Sequence, residues 1–132
     1  MKEPVSRGKK ILIVDDEPEI CHICQRVLTE EGFEVDIASN GKVAQAMIEG
    51  KQYDLGLVDI RTPAMSGKEL YYWLWTRHPQ LASRVIFTTG DVMGGDTKDF
   101  LEQTKRSFLA KPFTPDDLKT IIKEDLLREV EK

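Results

Sequence analysis

The chain lacks long apolar runs, a basic excess and any number of cysteines that could frame a fold. No hydrophobic stretch approaches the roughly 20 residues of a membrane span. The start, Met1-Lys2-Glu3-Pro4, has no apolar segment of the kind that opens a secretory leader. The expectation is a cytoplasmic protein with no membrane partner. Nineteen basic residues stand against 23 acidic ones, a formal net charge of -4. That balance argues against direct nucleic-acid binding, which wants a basic patch. The two cysteines, Cys21 and Cys24, cannot build a disulfide framework, and a four-ligand zinc site would need a second pair that the chain does not carry. Ile20, Ile23, Cys24, Val27 and Leu28 follow helical spacing instead, so Cys24 is expected on a buried helix face with Cys21 and His22 beside it. There is no repeat, low-complexity tract or linker. A 132-residue chain of this kind reads as one domain over 9–132 behind a short flexible tail over 1–8.

What is present is a set of short apolar runs that end in polar residues. Ile11–Val14 runs into Asp15-Asp16, Leu55–Val58 into Asp59, Val85–Thr88 into Thr89-Gly90, and Phe108–Ala110 into Lys111-Pro112. A further strand, Phe33–Ala38, alternates apolar and polar residues. Helical patterns lie between these runs. Asp16 is expected to cap the first helix, with Pro18 in its first turn and Gly32 closing it. Val43, Ala44, Met47 and Ile48 give the second helix its stripe. In the third, Leu70, Trp73 and Leu74 are expected in the core, with other aromatics of the Tyr71–Trp75 run left at the surface. Phe100 and Leu101 anchor the fourth, behind a glycine-softened start at Gly94-Gly95. Thr114-Pro115-Asp116-Asp117 starts the fifth, whose face is Leu118, Ile121, Ile122 and Leu126. Five strands alternating with five helices predict an α/β doubly wound parallel sheet, a three-layer sandwich.

In such sheets ligands bind at the carboxyl ends of the strands. Asp15, Asp16, Asp59, Thr89 and Lys111 are all placed there. The Asp15-Asp16 pair and Asp59, each taken alone, have plainer readings as cap or turn residues. Together, three converging carboxylates repel one another, and a hard cation with oxygen ligands removes the conflict. Magnesium (or manganese) suits such a set. Lys111 adds a positive charge, Thr89 a hydroxyl and Gly90 room beside it. Metal, ammonium and hydroxyl aimed at one carboxylate are what phosphoryl transfer needs. Asp59 is the best candidate nucleophile, giving an aspartyl phosphate.

Val14-Asp15-Asp16-Glu17-Pro18, Asp59-Ile60-Arg61-Thr62-Pro63-Ala64-Met65-Ser66-Gly67, Thr89-Gly90 and Lys111-Pro112-Phe113 together resemble a response-regulator receiver domain of two-component signalling, from about Lys9 to Leu127. The resemblance implies a flavodoxin-like sheet in the order 2-1-3-4-5. It implies that Asp59 takes a phosphoryl group from a phosphohistidine on a sensor histidine kinase or histidine phosphotransfer protein. Asp16, Asp59 and the backbone carbonyl of Arg61 would ligate the metal, with Asp15 acting directly or through water. Lys111 would pair with the phosphoryl group and Thr89 would swing to bond it. Phe108 would follow Thr89 inward as an aromatic switch, and the Lys111-Pro112 bond would be cis. The signal would pass through the fourth-helix, fifth-strand and fifth-helix face to a downstream effector. A phosphorylation-dependent homodimer, the cognate kinase and the output stay open.

This sequence departs from the family pattern in three places. Phe108 lacks the hydroxyl of the tyrosine often found there. Thr62 replaces a methionine, which touches loop packing. Thr104-Lys105-Arg106 replaces a small turn and reads as a solvated basic loop rather than a docking spot. Arg61 and Asp91, each two residues beyond a site residue, are expected to flank the mouth as an ion pair and to prolong the phosphoryl lifetime. A phosphohydrolase of the haloacid-dehalogenase type shares the aspartyl chemistry, but it wants a second Asp where Arg61 stands, and a cap insertion. A degenerate receiver acting only as a binding module is disfavoured by the full set of five side chains.

Overall fold

The computed structural model describes residues 8–90 and 94–130. Five strands form one parallel sheet: β1 (Lys10–Val14), β2 (Glu34–Ala38), β3 (Leu55–Asp59), β4 (Val85–Thr89) and β5 (Phe108–Ala110). Their order is β2-β1-β3-β4-β5, as the resemblance implied. The helices are α1 (Pro18–Glu30), α2 (Gly41–Gly50), α3 (Gly67–Arg77), α4 (Pro79–Ala82), α5 (Gly95–Thr104) and α6 (Pro115–Val130). Among the described residues, six helical segments replace the five expected. The extra one, α4, is a single turn seeded by Pro79 directly after α3, where proline's fixed φ suits a first helical position. The fourth and fifth helices of the sequence are therefore α5 and α6.

Period-two alternation divides the sheet's side chains between two cores. Ile11, Ile13, Leu55, Leu57 and Ile86 meet α1 and α6, through Cys21, Cys24, Leu28, Leu118 and Ile122. Leu12, Val14, Val58, Val85 and Phe87 meet α2 to α5, through Ala44, Ile48, Leu70, Tyr71, Leu74 and Phe100. Helices cover both faces, so the three-layer sandwich stands.

Four expectations about local structure need correction. Asp16 does not cap α1. Glu17 occupies the cap position, and Asp15 Oδ1 accepts from the Glu17 N–H at 2.9 Å instead. Cys21 is as buried as Cys24, while Ile23 is 42% exposed, because α1 turns its Cys21–Cys24–Leu28 stripe to the sheet. In α2, Val43 faces solvent and Gly41 is buried against the β3–α3 loop, its N–H donating to Met65 O at 3.1 Å. In α3, Tyr71 rather than Trp73 is the buried aromatic. Its ring makes edge contacts with Phe87 at 5.2 Å and Phe100 at 5.9 Å, a geometry that favours aromatic pairs. Tyr72 and Trp75 supply the expected surface aromatics.

Two helix starts are well built. Ser66 and Glu69 close a reciprocal capping box on α3, and Thr114 with Asp117 does the same at α6. Lys105 ends α5 in the left-handed conformation at φ 55°, and the Arg106 guanidinium donates to the carbonyl of Ser83. The basic loop is thus half structural: Arg106 ties it to the start of β4 and Lys105 is exposed. Of the expected tail over 1–8, all but Gly8 lies outside the described residues, as does Asp91 and the loop through Met93.

Candidate functional site

Parallel register sets the site. Val14, Val58 and Phe87 lie level across β1, β3 and β4, and Asp59 lies beside Thr88. Asp15 and Asp59 come next on β1 and β3, and Thr89 and Lys111 follow one and two steps further on β4 and β5, so all four emerge at one edge. Lys111 N–H donates to Thr89 O at 2.8 Å, which extends the β4–β5 ladder by one step and fixes where the lysine leaves the sheet. Two short turns hold the carboxylates. Glu17 N–H bonds Asp15 Oδ1, and Arg61 N–H bonds Asp59 Oδ1 at 3.0 Å. Each is an Asx turn, in which an aspartate accepts from the backbone two residues on.

Asp16, Glu17, Asp59, Arg61, Thr89, Gly90 and Lys111 line an open hollow of about 440 Å³. The sequence had placed Asp16, Asp59, Thr89, Gly90 and Lys111 together, and they do meet. Asp15 and Asp59 are buried, Asp16 is exposed, and Thr89 is buried beneath the hollow. A larger hollow of about 950 Å³ lies between Glu49–Asp54 and Arg77–Arg84. Arg77 pairs with Glu49 across it at 3.4 Å, and Lys51 is drawn to Asp36 outside it at 2.8 Å, so its charges do not converge on a chemistry.

Lys111 is the hub. Its Nζ lies 2.9 Å from Asp15 Oδ2, 2.9 Å from Glu17 Oε1 and 3.0 Å from Asp59 Oδ2. Burial works to lower the lysine pKa, but the bonds to Asp15, Glu17 and Asp59 outweigh it and hold Lys111 above its ordinary range. Burial raises the Asp15 pKa against the opposing bonds from Glu17 N–H and Lys111. Glu17 is the residue that sequence reasoning passed over. The signal for it in the sequence was its place directly after Asp15-Asp16; in the structure its backbone is extended, at φ -96° and ψ 107°, and its carboxylate reaches Lys111.

Ligand atoms of Asp15, Asp16, Glu17 and Asp59 all lie within 4.8 Å of one another. Four carboxylates against the Lys111 ammonium, with the exposed Arg61 also lining the hollow, leave an excess of negative charge in a partly dry place. All offer hard oxygen donors, so the residues fit a divalent cation of the magnesium type.

The β3–α3 loop carries the rest of the site's edge. Thr62 is buried, and its hydroxyl donates to Met65 O at 2.7 Å, so here a hydrogen bond replaces methionine packing. Gly67 is required by proximity. A Cβ there would meet the backbone of Asp59 and Ile60, so only glycine lets α3 start against the end of β3. Phe108 is 42% exposed and stands outward. The Lys111-Pro112 bond is cis.

The fold and the hollow are those of a phospho-accepting signalling switch. The profile of the response regulator receiver domain family matches residues 11–123, and the chain belongs to this family. Members catalyse only their own phosphorylation and dephosphorylation and are not turnover enzymes. The chain is 33% identical over 111 residues to the transcriptional regulatory protein TcrA of Mycobacterium tuberculosis, covering 84% of this chain and 43% of that protein. It is 32% identical over 116 residues to the transcription factor SKN7 of Saccharomyces cerevisiae, covering 88% of this chain and 18% of that one. The chain thus spans less than half the length of these relatives. Among solved structures it resembles a CheY-like receiver domain protein of Methanospirillum hungatei, at TM-score 0.84 and 33% identity over 94% of this chain and 98% of that one. It also resembles the regulator TrrA of Thermotoga maritima, solved in complex with Mg²⁺–BeF, at TM-score 0.76 and 32% identity over 89% and 98%. Among the described residues no helix is long and apolar enough to cross a membrane.

Proposed function

We propose that Asp59 is the phosphoacceptor of this receiver and that Asp15, Asp16, Asp59 and the Arg61 carbonyl hold Mg²⁺ or Mn²⁺. A carboxylate oxygen of Asp59 attacks the phosphorus of a phosphohistidine. The P–N bond breaks, the imidazole leaves with the bonding pair, and an acyl phosphate forms on Asp59. A bound divalent cation supplies charge compensation for the transferring oxygens. Lys111 moves from carboxylate to phosphoryl oxygen, and Thr89, one residue beyond the register partner of Asp59, donates its hydroxyl to another. The observation that carries this reading is the Lys111 ammonium seated within 3.0 Å of Asp59 in a hollow shared with Asp16 and Thr89. The Mg²⁺–BeF complex of the Thermotoga relative supports the metal.

The reading assigns a sensor histidine kinase or histidine phosphotransfer protein as donor, in the cytoplasm, and treats 9–132 as one receiver unit behind a tail over 1–8. Phe108 is the mobile aromatic, and the α5–β5–α6 face carries the signal to an effector. Arg61, exposed at the mouth, acts with Asp91 to lengthen the phosphoryl lifetime. Arg61→Ala and Asp91→Ala are each expected to speed dephosphorylation, and unchanged rates remove that assignment. The decisive test is incubation with Mg²⁺ and acetyl phosphate followed by intact mass. One phosphoryl adduct is expected on the wild type and none on Asp59→Ala or in chelator. An adduct that persists in Asp59→Ala refutes the assignment.

A further inference from the structure

We infer that Glu17 is a positioning residue that holds Lys111 when a divalent cation occupies the hollow, and so sets metal affinity. The inference rests on the proposed metal site. Lys111 Nζ is shared by three carboxylates, of Asp15, Glu17 and Asp59. Two of these, Asp15 and Asp59, are buried and belong to the proposed ligand set. Each has its Oδ1 on a backbone N–H and its Oδ2 on Lys111, so a cation that takes an Oδ2 competes with the ammonium for it. A buried ammonium without a partner is costly. Glu17 is the third partner, its side chain is 57% exposed, and it reaches Lys111 from the solvent side of the hollow at 2.9 Å.

The sign follows from comparing the two states. In the metal-free arrangement Glu17 is one of three partners and its loss leaves Lys111 bonded to Asp15 and Asp59. With the cation bound it is the partner that does not compete with the metal. Its contribution is therefore larger in the bound state, and its removal weakens binding. Lost negative charge acts in the same direction. An alternative, in which Glu17 pins Lys111 as a competitor over Asp15 and Asp59, predicts tighter binding on its removal. The buried carboxylates hold the lysine without help, and an exposed pair adds little while they do.

The test is a Mg²⁺ titration followed by two-dimensional NMR of ¹⁵N-labelled protein, at constant ionic strength. Glu17→Gln is expected to raise the Mg²⁺ Kd about fivefold, the scale that one partly exposed ion pair commands. Glu19→Gln removes the same charge from the first turn of α1. It is expected to shift the Kd by less than about twofold. In a Lys111→Met background, Glu17→Gln is expected to lose most of its effect. An unchanged or tighter Kd for Glu17→Gln overturns the inference. So does an equal loss from Glu19→Gln, or an undiminished loss in the Lys111→Met background, since either makes Glu17 a bare charge or a ligand. If the wild type binds no Mg²⁺, the metal-site reading itself falls, a result distinct from a wild type that binds and a Glu17→Gln that binds equally.

Discussion

Lys111→Met removes the ammonium from the centre of the carboxylates and keeps most of the side chain's bulk. The Asp15 and Asp59 side chains are 3% and 9% exposed, and the lysine that joins them is 12% exposed. Removing one partner of a buried ion pair costs about 3–5 kcal/mol, because the remaining charge is left uncompensated. The third pair, to Glu17, is solvent-screened and adds little. The hollow is open to water, so the low end applies, about 3 kcal/mol. For a chain of this length a loss of that size lowers Tm by about 10 °C. The assay is thermal melting followed by circular dichroism near neutral pH in chelator. Adding Mg²⁺ is expected to raise the Tm of Lys111→Met by more than that of the wild type, since the cation replaces the charge that was lost. A variant that melts within about 2 °C of the wild type in chelator refutes the premise that Lys111 neutralises this cluster.

Gly67→Ala is expected to destabilise by about 2 kcal/mol or more, read by denaturant melts, because its Cβ would collide with rigid backbone at Asp59 and Ile60. The Cys21 and Cys24 thiols, pushed up to about 11 and about 12 by burial, are expected to resist alkylation until the protein unfolds. Their protonated forms are favoured in the fold. Stability is therefore expected to be intact below the ordinary thiol value of 9.0 and to fall as pH rises through about 11 to about 12, measurable in alkaline melts. Fluorine-labelled phenylalanine offers a probe of Phe108, which is 42% exposed here. Its resonance is expected to move toward a buried environment on phosphorylation of the wild type and to stay fixed in Asp59→Ala. A resonance unmoved in both removes its switch role.

The sheet edge was legible because a parallel sheet sends every strand's carboxyl end the same way. Once Ile11–Val14, Leu55–Val58, Val85–Thr88 and Phe108–Ala110 were recognised as strands, Asp15, Asp59, Thr89 and Lys111 had to share an edge. Helix phase was less legible. Leu70 and Leu74 mark a face, but Tyr71 and Trp73 both border it, and the choice fell to Phe87 and Phe100, which are distant in sequence. Cys21 and Ile23 are a pair of the same kind. Both flank the Cys24–Leu28 line, and the contact of Cys21 Sγ with Asp15 O at 3.3 Å accompanies the inward turn of the cysteine.

Asp16 and Glu17 show why a cap rule failed where the fold rule held. Capping assigns an acidic residue before a proline to the free N–H groups of the helix. In this chain Asp15 accepts the Glu17 N–H, and neither Asp16 nor Glu17 spends its carboxylate on the helix start. Asp16 is left toward the hollow and Glu17 reaches Lys111. A missing side-chain cap typically costs a helix about 1 kcal/mol. Of the two carboxylates it releases, Asp16 joins the acidic group proposed to hold a cation and Glu17 holds Lys111 beside it. The start of α1 is therefore built less well as a helix terminus so that the edge of β1 can serve as an acidic site. Departures from local preference gather where chemistry is done.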